Sequence, residues 1–245
     1  PTTEAVTHQV NVFIDTLRAH GVEVIQPHPL PYVPDQMMTR DIGVVIAKTF
    51  VVTTMAAKSR RLEWRGYSHL FERFPEDVKV LFGPEDLVIE GGDVIVDRNK
   101  VFVGIGQRTT LAGAAWLMQL VPDHEIVPIY LTGRGQGEDV VHLDCACLPV
   151  GDGHARLYPG GMRDVPAAVR DTYDLIEVTR EEQQMLGTNV LSISPTCVVS
   201  QPTMSRINDE LRGIGIDVVE VPFTEPPKTG GSFRCSTLPL HRAEP

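Results

Sequence analysis

The sequence predicts an α/β ring assembled from repeated ββαβ modules, five of them meeting around a central axis. Three observations carry that expectation. Short β-rich pairs recur along the chain, each followed by helix-like residues and then by another β-rich run. Two distant segments, residues 15–24 and 209–218, align without gaps at a shift of 194 residues (Asp15 onto Asp209). The positions where modules start carry side chains suited to chemistry: Asp41, Glu90, His142, Asn189 and Cys235.

Taken in order, residues 44–46 and 50–52 read as two short strands, followed by a helix over 60–74 and a strand over 78–81. Residues 94–96 and 101–103 flank a turn-rich tetrapeptide and lead to a helix over 108–120 and a strand over 125–127. A less regular third unit spans 142–158, with a helix near 164–171 and a strand near 175–178. Residues 190–193 and 197–199 open the fourth, closed by a helix over 203–212 and a strand over 216–219. In the aligned pair, each helix tail is followed by a C-terminal glycine and a β-rich run. The same shift sets Arg40 opposite Arg234 and Asp41 opposite Cys235. A fifth module would combine the C-terminal strand with the N-terminal helix and the strand at 22–24. No strand pair precedes that helix, so a leading strand is expected ahead of Pro1. On this reading residues 1–245 form one domain, and the Pro-rich stretches 27–34 and 222–227 are equivalent loops rather than boundaries.

Composition narrows the function. With 42% hydrophobic and 22% charged residues, the chain has the balance of a folded protein with a sizeable core. A net charge of −10 argues against nucleic acid, whose partners carry a basic face. No apolar run approaches the roughly 20 residues that span a bilayer. Four cysteines make no disulfide framework, and Cys145 and Cys147 are too close in sequence to pair comfortably. A reducing, cytoplasmic setting is expected. Self-association is compatible with the sequence.

Strand alternation would put His142 and Asp144 on one face, and Cys145 with Cys147 on the other. Neither C-x₂₋₄-C nor H-x₃₋₅-H spacing is present, so no metal site is expected. Thiol chemistry fits better. Cys235 is flanked by Gly230, Gly231 and Arg234, which let a ligand approach and supply positive charge, and His142 offers proton transfer. Asp41, Glu90 and Asp144 would oppose attack on a neutral ester or amide, by raising the thiol pKa and destabilising an oxyanion. They make sense if the electrophile is a cation. A guanidinium is planar, permanently charged and rich in N–H donors that carboxylates can hold in pairs.

With these residues in place, the sequence resembles the guanidine-modifying thiol enzymes of the pentein fold, a five-bladed α/β propeller around a central site. The resemblance rests on Thr39-Arg40-Asp41, Glu90-Gly-Gly-Asp93, Gly104-Ile-Gly-Gln-Arg108-Thr, His142-Leu-Asp144 and Gly230-Gly-Ser-Phe-Arg-Cys235-Ser-Thr-Leu-Pro. Within that group of arginine deiminases, dimethylargininases and glycine amidinotransferases, the resemblance implies an activity of the deiminase or dimethylargininase type. It is nearest to a compact arginine deiminase without the helical insertion of the large bacterial enzymes. It implies that Cys235 attacks the guanidinium carbon, forming a thiouronium intermediate, while Asp41 and Asp144 grip the nitrogens. His142 would protonate the leaving amine and then activate water, with Glu90 tuning it and Asp93 supporting the loop. Arg60 and Arg108 would hold a substrate carboxylate, with Arg61 as the adjacent alternative to Arg60. Asp35 stands where those enzymes usually have Asn, and an anion there weakens carboxylate binding or favours an amine. No cofactor is implied. An amidinotransferase passing the amidino group to an amine, and a non-catalytic binding protein of the same fold, are the competing readings.

Overall fold

A β-rich run must find partners for its backbone N–H and C=O groups, and here each first strand finds one across a tight turn. In the computed structural model, which describes residues 1–33, 35–138 and 140–242, β1 (Gly43–Ile46) pairs antiparallel with β2 (Thr49–Val52), Ile46 lying opposite Thr49. After a helical crossover, β2 pairs in parallel with β3 (Lys79–Phe82). The arrangement recurs in β4 (Val94–Asp97), β5 (Lys100–Ile105) and β6 (Glu125–Tyr130). It recurs again in β7 (Cys147–Val150), β8 (His154–Leu157) and β9 (Asp174–Glu177). A last copy joins β10 (Leu191–Ser194), β11 (Cys197–Ser200) and β12 (Asp217–Glu220). The described residues thus form four three-stranded sheets, each with its strands in sequence order.

The helices follow the same plan. α1 (Thr3–Ala19) opens the chain, capped by the Thr2 side chain on the Ala5 N–H. α2 (Leu111–Leu120) is capped by Thr110 and crosses from β5 to β6. α3 (Ala167–Arg170) is one turn, α4 (Arg180–Gln184) carries a Thr179/Glu182 capping box, and α5 (Ser205–Gly213) crosses from β11 to β12. The crossover expected as a helix over 60–74 is a 3₁₀ segment, Glu63–Arg73, preceded by a short turn at Lys58–Arg60. Gly66, in its middle, gives its carbonyl to the His28 N–H at 2.9 Å, which takes that acceptor from an α-helical ladder.

The fifth sector differs from the expectation. After α1 and after α5 the chain turns through Gly21 (φ +78°) and Gly215 (φ +86°), so the aligned segments share their helix and their left-handed glycine. They part at the next step. β12 lies against β11, whereas residues 22–24 have no ladder partner among the described residues and form no strand. Nor do residues 232–237; they close as turns. Aromatic packing takes the place of pairing there, with Phe13 edge-on to Phe223 and Phe233 at 5.4 and 5.0 Å. Among the described residues no helix is long and apolar enough to cross a membrane.

Candidate active site

Three of the sheets begin the same way. A 3₁₀ turn at Thr39–Ile42 leads into β1, one at Gly91–Asp93 into β4, and one at Leu143–Cys145 into β7. The first turn carries Asp41, the second Glu90 just before it and Asp93 within it, and the third His142 just before it and Asp144 within it, which is why these five residues converge. The backbones approach so closely that a side chain at residue 91 is excluded: a Cβ there would lie 2.1 Å from the Arg40 carbonyl oxygen. At Gly92 it would lie 2.7 Å from both Asp41 Oδ1 and His142 Cγ. The paired glycines are therefore a condition of the convergence rather than an ordinary turn. The last two module starts are joined directly. The Cys235 N–H donates to Asn189 Oδ1 at 3.1 Å, and the Cys235 carbonyl accepts the Arg40 N–H at 3.0 Å. Asn189 was legible only as a module start; its grip on Cys235 is a tertiary fact.

One half of the centre is built for proton transfer. His142 Nε2 lies 2.7 Å from Glu90 Oε2 and 3.7 Å from Asp41 Oδ1. Glu90 Oε1 accepts the Ala56 N–H at 2.8 Å, and Arg108 Nη1 stands 3.5 Å away. Asp93 Oδ1 accepts the Leu143 N–H at 2.9 Å, fixing the turn that follows His142. Burial opposes a charged imidazole, but Asp41, the Glu90 hydrogen bond and Asp93 outweigh it and raise the His142 pKa well above its usual value. Glu90 is also desolvated, yet the hydrogen bond and charge of His142 hold its pKa below the usual carboxylate value. Asp93, fully enclosed, is pushed up to about 7 by burial.

The other half holds the thiol. Cys235 is 4% exposed, and its Sγ lies 3.9 Å from Asp144 Oδ2. That oxygen takes a hydrogen bond from Arg234 Nη1 at 2.6 Å, and Arg234 Nη2 donates to the Val94 carbonyl at 3.0 Å. Cys145 Sγ donates to the second Asp144 oxygen at 3.5 Å. The predicted alternation over 142–147 fails here. Leu143–Cys145 is a 3₁₀ turn and β7 starts only at Cys147, so Cys145 comes round to the side of Asp144 and Cys235.

Two expectations need correction. Arg60 is not free to hold a substrate carboxylate. It is buried, its Nε and Nη2 clasp both Glu63 oxygens at 2.8 and 2.9 Å, and its Nη1 binds Asp41 Oδ2 at 2.8 Å. Burial opposes its charge, but Glu63 and Asp41 raise its pKa above the usual value. Nothing in the sequence marks Glu63, a charged residue within the segment expected as a helix, yet it is fully buried. The second correction concerns the electrostatic premise. Asp41, Asp144 and Glu90 are not a bare anionic surplus, because Arg60, Arg234 and His142 already pair with them. Among the described residues, Asp41 Oδ1 and Asp93 Oδ2 are buried acceptors without a hydrogen-bond partner. Asp35 is exposed and lines a cavity of about 250 Å³ with Met37, Met38 and the first turn of α1. Arg108 reaches the centre from its edge, and Arg61 donates Nε to the Met55 carbonyl at 3.0 Å. Donor atoms of Asp41, Glu90 and His142 lie within 4.8 Å of one another, as do those of Asp144, Cys145 and Cys235. Each group includes a carboxylate that already pairs with an arginine, Asp41 with Arg60 and Asp144 with Arg234.

Repeated ββαβ sheets with leading turns that bring a histidine and carboxylates together are those of the pentein superfamily, on the fold of its solved members and on the family match. Residues 2–242 match the family described as "N,N dimethylarginine dimethylhydrolase, eukaryotic", and the chain belongs to that family. It is 36% identical over 232 residues to the uncharacterized protein YkgA of Bacillus subtilis, covering 94% of this chain and 78% of that one. Two solved structures show the same fold. The amidinotransferase SxtG of Microseira wollei superposes with a TM-score of 0.86 at 19% identity, over 99% of this chain and 84% of that one. The dimethylarginine dimethylaminohydrolase of Pseudomonas aeruginosa, complexed with citrulline, gives 0.85 at 21% identity, over 97% and 89%.

Proposed function

We propose that this chain is a cysteine-dependent hydrolase that cleaves a C–N bond of an arginine-like guanidino compound. The observation that carries the reading is that Cys235 and a His142 suited to hold a proton are both buried, His142 beside Asp41 and Glu90, and Cys235 tied to the Asp41 turn through the Arg40 N–H. A buried acceptor without a donor costs about 1–3 kcal/mol. A guanidinium N–H restores the missing bond at Asp41 Oδ1.

Cys235 loses its proton to solvent as the cation binds, its thiolate attacks the guanidinium carbon, and the tetrahedral adduct expels an amine that takes a proton from His142. This leaves a thiouronium on Cys235. His142, now neutral, removes a proton from water, and the resulting hydroxide adds to the same carbon. Breaking the C–S bond releases a ureido product and returns the thiol. The raised His142 pKa suits the first step, since the imidazole enters protonated. Glu90 keeps the ring oriented and offsets its charge. With Arg60 engaged by Asp41 and Glu63, the groups for the far end of the substrate are Arg108 and Arg61.

The test is a mass-spectrometric screen of guanidino compounds with the native protein and with Cys235→Ala. Release of ammonia or an alkylamine, with a ureido product, is expected from the native protein alone. Turnover that persists in Cys235→Ala removes the nucleophile from the reading. Strict dependence on an added acceptor amine makes the chain an amidinotransferase. Binding without turnover makes it a non-catalytic relative.

A further inference from the structure

The mechanism leaves one reactive group in the centre unused. Cys145 is buried, it is reduced, and its Sγ lies within 4.8 Å of both Cys235 Sγ and an Asp144 carboxylate oxygen. The hydrogen bond to Cys235, burial and Asp144 together push its thiol pKa well up, so it does not compete as a nucleophile for substrate. Its position is a consequence of the 3₁₀ turn at Leu143–Cys145; a strand there would have pointed it away. The other two thiols lie elsewhere: Cys147 is the buried first residue of β7, and Cys197 is the partly exposed first residue of β11.

We propose that Cys145 is a resolving thiol for Cys235, closing an intramolecular disulfide when a hydroperoxide oxidises the nucleophile. The sulfur of Cys235 attacks one peroxide oxygen, the O–O bond breaks, and the released hydroxide leaves as water with the thiol proton. Cys235 is then a sulfenic acid. Cys145 gives its proton to the site, where Asp144 stands as acceptor, and its sulfur attacks Cys235 Sγ. The S–O bond breaks and a second water departs. Two thiols and one peroxide thus yield one disulfide and two waters. The sulfurs, within 4.8 Å of each other, must close to the S–S bond length of about 2.05 Å. The high pKa of Cys145 slows its attack, and proximity works the other way. The bond takes the nucleophile out of turnover and stops it short of the irreversible sulfinic acid.

The disulfide depends only on sulfur geometry, whereas its effect on turnover rests on the function proposed above; the two are read separately. The full chain is treated with hydrogen peroxide, its remaining thiols are alkylated, and it is digested for peptide mapping, with turnover followed in parallel. A cross-link between the peptide bearing Cys145 and that bearing Cys235, lighter by two hydrogens and removed by dithiothreitol, is the expected result. Cys147→Ser should keep the cross-link; Cys145→Ser and Cys145→Ala should lose it and carry Cys235 onward to sulfinic and sulfonic acid. Mapping of the native chain does not depend on how the variants fold. Over-oxidised Cys235 beside a still-alkylatable Cys145 in the native chain overturns the proposal, as does a cross-link through Cys147 or Cys197. If the cross-link forms and no guanidino compound is turned over before oxidation, the functional reading fails while the disulfide stands.

Discussion

The two halves of the centre balance charge in different ways. Around His142 the partners are carboxylates, with Glu90 at 2.7 Å and Asp41 at 3.7 Å, and the histidine itself supplies positive charge. Around Cys235 the carboxylate of Asp144 is already paired with Arg234 at 2.6 Å, and the positive charge is that guanidinium. One half is a proton store, the other a fixed dipolar cradle. The difference teaches that only the histidine half should respond to pH, while the cysteine half should respond to the loss of a partner.

The largest effect comes from the histidine half. His142→Gln should lower kcat by about 10²–10⁴-fold, the usual contribution of a positioned proton-transfer group, and should slow breakdown of the Cys235 adduct. Unchanged turnover in steady-state assays would remove His142 from the chemistry. On the cysteine side, Arg234→Met leaves Asp144 as an unpaired buried charge and should cost about 3–5 kcal/mol of stability by denaturant unfolding. The double variant with Asp144→Leu should recover much of that loss; additive losses would show that the pair is not coupled.

A smaller effect separates the halves by pH. Because the folded His142 pKa is raised, its contribution to stability is complete below the unfolded value of 6.5 and is lost as pH rises through the folded value. Asp93 acts in the same sense. Its ionisation is disfavoured in the fold, so stability falls as pH rises from its ordinary 3.8 to about 7. Above neutral pH the unfolding free energy should therefore decline, by at most about 1.4 kcal/mol per pH unit for one proton. His142→Gln should flatten that decline, and Arg234→Met should leave its slope in place. The smallest effect belongs to the rim. Arg108→Ala should raise KM for a carboxylate-bearing substrate, with stability moving by no more than about 0.5 kcal/mol. An unchanged KM would assign the far end to Arg61 alone.

Much of this was readable from the chain. The β-rich pairs gave four sheets near their expected positions, because hairpin partners are neighbours in sequence. Gly21 and Gly215 confirmed the aligned helix ends, since a left-handed residue after a helix leaves a local mark. Partners distant in sequence leave no such mark. The strand expected at 22–24 had the right residues and no neighbour to pair with. Cys145 was assigned the wrong side because period-2 alternation was assumed through a turn. Arg60 looked like a substrate-binding group because nothing in the sequence says that Glu63 is buried beside it.

The sequence alone determined the modular fold and which residues bring a thiol, an imidazole and carboxylates to the module starts. Hydrophobic periodicity and local turn chemistry are short-range, so they survive without coordinates. Tertiary structure decided which charges neutralise each other. Asp41 and Arg60, Glu90 and His142, and Asp144 and Arg234 stand 19, 52 and 90 residues apart in the chain. Ion pairing depends on distance through space, and only the closed ring brings those side chains within hydrogen-bond reach.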